Sequence, residues 1–146
     1  MIEQQKVVLR PATSADADRI AALFTDEGYP AGPSDIVARL ERFSSPYSQV
    51  VVADLDGEVL GFVAIHALPR FEHDDRIVRI LALVVDPGAR DRGIGHLLME
   101  DAERAARELG AAFVEVTSGH HRPEGRRLYE ALGYDGSVTA YLRKKL

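Results

Sequence analysis

Val84-Val85-Asp86-Pro87-Gly88-Ala89-Arg90-Asp91-Arg92-Gly93-Ile94-Gly95 is the stretch that decides the fold of this 146-residue chain. An apolar strand delivers the backbone to a loop, and the loop delivers it to the start of a helix. The first turn of any helix has unpaired N–H groups and a partial positive charge. Gly93 and Gly95 lack a Cβ, so an anion can approach that backbone closely. Arg90 and Arg92 add positive charge. Two glycines after a strand would by themselves mark only a tight turn, and arginines on a loop are usually solvated. The spacing Arg-x-x-Gly-x-Gly between a buried strand and an amphipathic helix favours a pyrophosphate site. Other phosphate motifs fit worse. The chain has no Gly-x-x-x-x-Gly-Lys-Ser/Thr, and Leu98 stands where a dinucleotide fingerprint wants a third small residue.

Working outward, Ile77 to Val85 is a near-continuous apolar run, which predicts a strand buried on both faces. After the turn, Ile94, Leu97, Leu98, Ala102, Ala105 and Leu109 fall at helical spacing, and Gly110 supplies a stop. Ala111 to Thr117 is the next strand. Strand, helix and strand with short joins predict a right-handed parallel crossover. Upstream, Val7-Val8-Leu9 is a strand. A helix capped by Thr13 or Ser14 shows Ile20, Leu23 and Phe24 on one face. A second helix begins near Ser34-Asp35 and buries Ile36, Val37, Leu40 and Phe43. Gln49–Asp54 and Glu58–Leu68 form a hairpin through Asp56-Gly57. Downstream, a short helix runs from Pro123 to Leu132, and Val138 to Leu142 reads as a final strand. The fold class expected is a mixed α/β sheet, mostly antiparallel, with a central parallel crossover and helices on both faces. Residues 1–146 read as one domain.

Composition excludes several function classes. The chain is 46% hydrophobic and 28% charged, as ordinary globular proteins are. It has no cysteine, which removes disulfides, thiolate metal sites and a cysteine nucleophile. His120 and His121 are neighbours whose side chains point apart on an extended segment, so no metal is expected. A net charge of −5 disfavours nucleic acid as a partner. No apolar run is long enough to cross a bilayer, and Met1-Ile-Glu-Gln-Gln-Lys6 is unlike a secretory leader. A cytoplasmic protein is expected.

The residues resemble the GNAT superfamily of N-acetyltransferases, in element order along nearly the whole chain and most sharply from Ile77 to Tyr134. Arg90-x-x-Gly93-x-Gly95 resembles its acyl-CoA signature. Arg122-Pro-Glu-Gly-Arg-Arg-Leu-Tyr129-Glu-Ala-Leu-Gly-Tyr134 is similar to its last block, with Arg122 where Asn is commoner and Gly125 where Ala is. The resemblance implies acetyl-CoA as cosubstrate, with its pyrophosphate on the backbone N–H groups of Arg90, Asp91, Arg92, Gly93, Ile94, Gly95 and His96. It implies that Leu83, Val84 and Val85 pair with the pantetheine arm like an added strand. The strands at Ile77–Val85 and Ala111–Thr117 should then splay apart near their C-terminal ends. It also implies that Tyr129 lies near the thioester sulfur.

The chemistry implied is attack of a primary amine, from a small molecule or peptide, on the thioester carbonyl. A lysine-like amine has a pKa of about 10.4, so a base or water relay must take its proton. The N–H of Val85 is a candidate for the oxyanion. Tyr129 is the candidate acid for the leaving thiolate; packing beside Leu128 and Leu132 is its alternative role. His66, Glu72, His73, Asp74 and Asp75 lie on or just before the loop into the central strand, and Glu72 and His73 are the base candidates. Solvation is the alternative for each. Glu115 either faces the acceptor cleft or is a paired surface carboxylate. Arg126 and Arg127 form a solvated helix face, or one meets a cofactor phosphate. The acidic balance weakly favours a cationic acceptor. A non-catalytic acyl-CoA-binding module is the alternative function, and homodimerisation, common in such folds, stays open.

Overall fold

The structure is a computed structural model, and it describes residues 6–118 and 122–146. His120 and His121 lie outside the described residues. Five strands form one sheet in the order β1 (Val7–Pro11), β2 (Ser48–Leu55), β3 (Glu58–Pro69), β4 (Arg76–Val85) and β5 (Ala111–Val116). The first three pairings are antiparallel, and β4 with β5 is parallel. The helices are α1 (Ala17–Asp26), α2 (Pro33–Arg42), α3 (Ile94–Glu108) and α4 (Pro123–Ala131). The mixed sheet, its crossover through α3 and helices on both faces are as the sequence predicts.

Local chemistry accounts for the joins. Asp56 and Gly57 have φ of 51° and 90°, the left-handed pair that a two-residue hairpin needs between β2 and β3. The Asp54 carboxylate accepts the Gly57 N–H at 2.7 Å and closes the turn. Pro33 opens α2, and the Asp35 carboxylate reaches back to the Gly32 N–H at 2.9 Å.

Two apolar layers hold the helices to the sheet. Ile20, Leu23 and Ile36 pack with Val52, Val59, Phe62 and Val84. Ile94, Leu98, Met99, Ala102 and Ala105 pack with Val51, Leu60, Val63, Ile65, Val78 and Ile80. Strict alternation would not divide β3 this way, because Val59 and Phe62 share a layer. A bulge corrects the phase: Asp54 faces Val59 and Ala53 faces Gly61, so Leu60 is the extra residue. Gly61 is required there. A Cβ on it would lie 2.7 Å from the Val84 carbonyl oxygen.

The run Val138–Leu142 is not a strand. It is irregular, and Val138, Tyr141 and Leu142 are exposed. Strand propensity in five residues is decisive only when a partner and a buried face accompany it, and this run has no buried face.

One charged cluster ties β1 to the entry of α1. Asp16 is buried, and both its oxygens accept from Arg10, at 2.8 and 2.9 Å. Its Oδ2 also accepts the Thr13 N–H at 2.8 Å, and Arg10 Nε donates to Asp54 at 3.0 Å. Arg10 above all, against a desolvation cost, holds the Asp16 carboxyl below its ordinary 3.8. A depressed carboxylate stabilises the fold above its unfolded pKa, and that contribution is lost as pH falls through the folded value. Asp16→Asn should therefore destabilise the protein by about 2 kcal/mol at neutral pH. In urea unfolding, the gap to the parent should close as pH falls below the ordinary carboxyl value of 3.8.

Candidate functional site

The site begins where two strands part. β4 and β5 pair from Arg76 opposite Ala111 to Ile80 opposite Val116, and no further. β4 continues through Leu81 to Val85, paired there to β3 alone. A bulge sits at the parting. Ala64 faces Ala82 and Ile65 faces Ile80, which leaves Leu81 as the extra residue. Bulges bend a strand and sharpen its twist, so this one turns β4 away from β5. The splay that the resemblance implies is present. It opens a cleft of about 1730 Å³, with Leu81 to Val85 on one side and Val116, Thr117 and Ser118 on the other. Leu81 is 50% exposed into it. Burial of β4 on both faces is therefore corrected: its apolar run also lines a cleft.

At its C-terminal end β4 feeds a braced turn. Asp86 donates its N–H to the Leu60 carbonyl at 2.8 Å, and its carboxylate accepts the Gly88 N–H at 2.7 Å and pairs with Arg19. The Gly88 N–H first, then Arg19 and Arg92, keep that carboxyl below its ordinary pKa against desolvation. Asp91 and Gly93 then take positive φ, 67° and 82°, and Gly93 caps α3. The N–H groups of Ile94, Gly95 and His96 have no acceptor within the helix, and all three residues line the cleft. Gly95 has a second reason to be glycine. A Cβ on it would come within 3.0 Å of Leu128 Cδ2 on α4 and 3.9 Å of Val85 Cγ2.

The cleft is basic inside an acidic chain. Arg39, Arg90, Arg92, Arg122, Arg127 and Arg143 line it, against the carboxylates of Glu27, Asp91 and Glu124. Glu27, just after α1, grips two of the arginines. Its Oε1 accepts from Arg90 at 2.7 Å, Oε2 accepts from Arg122, and its backbone carbonyl accepts from Arg122 Nη2 at 2.6 Å. The Arg122 guanidinium also lies 5.2 Å from the centroid of Tyr29. Arg127 lines the cleft, whereas Arg126 pairs with Glu130 on the solvent face.

Tyr129 stands on α4 at the cleft wall, half-buried. Its ring is 5.9 Å from that of Tyr134, whose hydroxyl donates to Glu103 at 2.8 Å. Burial pushes the Tyr129 phenol above its ordinary pKa, so it stays protonated at neutral pH. Gly125 leaves room beside it: a Cβ there would sit 3.7 Å from Tyr129 Cε2.

The structure brings Leu83, Val84, Val85, Arg90 to His96 and Tyr129 together around one cleft. It does not bring Glu72 and His73 there. They are exposed at the tip of the β3–β4 loop, at the opposite end of β4. Arg70 and Asp75 staple that loop at 2.6 and 2.7 Å. His66 bonds Ser48 at 2.7 Å, and Glu115 pairs with Arg79 at 2.8 Å across β4 and β5. Sequence reasoning missed Glu27, Tyr29 and Arg39 at the site. Their only signal was proximity to the ends of amphipathic helices. Among the described residues no group of three His, Asp or Glu side chains is placed to hold a metal ion, and no helix is long and apolar enough to cross a membrane.

Comparison with known proteins agrees with this geometry. Residues 16–134 match the acetyltransferase (GNAT) family. The aminoalkylphosphonate N-acetyltransferase of Salmonella typhimurium is 32% identical over 134 residues, 88% of this chain and 85% of that one. An uncharacterized N-acetyltransferase of Bacillus subtilis, YhfO, is 31% identical over 135 residues, 87% and 89% of the two chains. A crystal structure described as a transcriptional regulator from Bacillus halodurans C-125 shares the fold, with a TM-score of 0.87, 22% identity and coverage of 95% and 99%.

The contact at Gly95 is open to test. Gly95→Val should destabilise the protein by about 1–3 kcal/mol through overpacking against Leu128. Adding Leu128→Ala should recover part of that loss in urea titrations, because the two changes act on one contact.

Proposed function

The chain belongs to the acetyltransferase (GNAT) family, and from that premise we propose that it transfers acetyl directly from acetyl-CoA to a primary amine of a small molecule or peptide. The observation that carries the proposal is the one-sided strand β4 running into left-handed Gly93 at the head of α3, within a cleft richer in arginine than in carboxylate.

The residues present fit the donor. The open edge of β4, at Leu83 and Val85 on either side of Val84, offers N–H and C=O groups to the amides of a pantetheine arm, as an added strand would. The N–H groups of the turn from Arg90 to His96 offer donors for a diphosphate, with Arg90 and Arg92 supplying charge. The Val85 N–H is positioned on the same strand to meet an oxyanion. Tyr129, kept protonated by burial, donates to the departing sulfur. The amine must be neutral to attack, and we assign its deprotonation to water in the cleft. Glu72 and His73, at the far end of β4, take no part in this proton path.

Thiol release from acetyl-CoA across a panel of amines tests the reading, and aminoalkylphosphonates belong in that panel. Tyr129→Phe should lower kcat by about 100-fold and leave acetyl-CoA affinity nearly unchanged. Gly93→Val should weaken acetyl-CoA binding by about tenfold or more in calorimetry, because it forces a β-branched residue to positive φ. Full activity in the Tyr129→Phe protein would remove the tyrosine from the mechanism. Acetyl-CoA binding without thiol release from any amine would favour a non-catalytic binding module.

A further inference from the structure

We infer that the acceptor amine also carries an anionic group, and that Arg39 selects it; the inference rests on the acetyltransferase reading above. Arg39 stands on α2, three residues after Ile36, which is buried in the core. Its guanidinium carbon lies 5.9 Å from the centroid of the Phe24 ring, and both side chains line the cleft. The ring is a firm seat. It meets buried Phe62 edge-on at 4.9 Å and Tyr29 at 6.4 Å. Arg39 is thus held in place by an aromatic face, and among the described residues no carboxylate neutralises it.

The acids of α2 and of the cleft form no ion pair with it among the described residues. Asp35, one turn earlier, caps its own helix at the Gly32 N–H. Glu27 is shared between Arg90 and Arg122. Asp91 and Glu124 belong to the turn before α3 and to α4. Arg143, also on the lining, contacts the Tyr141 hydroxyl at 3.2 and 3.3 Å and pairs with no carboxylate among the described residues. The charge beside Gly93 is accounted for by a diphosphate. The charge on α2 is not, because it lies on another element and is seated on Phe24.

An incoming amine therefore meets the guanidinium groups of Arg39 and Arg143. A polyamine or a lysine-rich tail would be repelled there. An amine bearing a carboxylate or phosphate would gain charge-assisted hydrogen bonds, bidentate ones to Arg39. The net charge of −5 points the other way only because the acids lie mostly outside the cleft.

Matched acceptors test this. Thiol release from acetyl-CoA is measured with β-alanine and 2-aminoethyl phosphate, and with n-propylamine and spermidine. The anionic pair should show kcat/KM about tenfold or more above the other pair. Arg39→Ala should raise KM for the anionic pair by about tenfold with a smaller change in kcat, and Arg39→Lys should restore part of the loss. A preference for spermidine or propylamine overturns the inference. So does an equal loss with all four amines, or weaker acetyl-CoA binding in Arg39→Ala, which would place the donor on Arg39. If acetyl-CoA binds and no amine releases thiol, 2-aminoethyl phosphate is titrated calorimetrically into the coenzyme A complex. Heat that disappears in Arg39→Ala supports the inference, and no heat overturns it. Failure of acetyl-CoA itself to bind would instead sink the reading on which the inference rests.

Discussion

A strand hydrogen-bonded on one side and bare on the other is the constraint that organises this molecule. Backbone N–H and C=O groups are obligatory hydrogen-bonding groups, so an unpaired stretch inside a fold must meet water or a ligand. β4 satisfies its first half with β5 and leaves Leu81 to Val85 open on that side. The rest of the architecture supports that exposure. The bulge at Leu81 turns the strand aside. Gly61 lets β3 follow the opened strand closely on its other edge, where no Cβ would fit against the Val84 carbonyl. Asp86 anchors the strand end to Leu60 and Arg19.

The parts legible in the sequence were those set by near neighbours in the chain. The hairpin turn at Asp56-Gly57 follows from conformations that few residues adopt, and the turn into α3 from glycines that leave its backbone open. The faces of α1 and α3 follow from helical period, although Met99 and Ala106 prove buried in α3 and Leu97 only partly so. The apolar run of β4 predicted burial, because a strand that lines a ligand cleft and one that lies inside a core use the same residues. The bulge at Leu81 carries no local mark.

Contacts between distant segments were not legible. Glu27 meets Arg90 across 63 residues and Arg122 across 95, and neither spacing has a periodic signature. Glu72 and His73 are base candidates because their loop leads into the central strand. That loop enters β4 at the wrong end for the cleft, a matter of strand direction that residue type does not reveal. The weak expectation of a cationic acceptor treated charge as uniform, whereas six arginines line one cleft. Val138–Leu142 had the composition of a strand and no layer to cover.

Six arginines against three carboxylates make the cleft a locally positive pole in a chain of net charge −5. At physiological ionic strength the field of such a pole fades over roughly 8 Å. It would therefore do little to draw ligands from afar. Its effect is on ligands already at the rim, where it turns an approaching anion so that its negative end enters first.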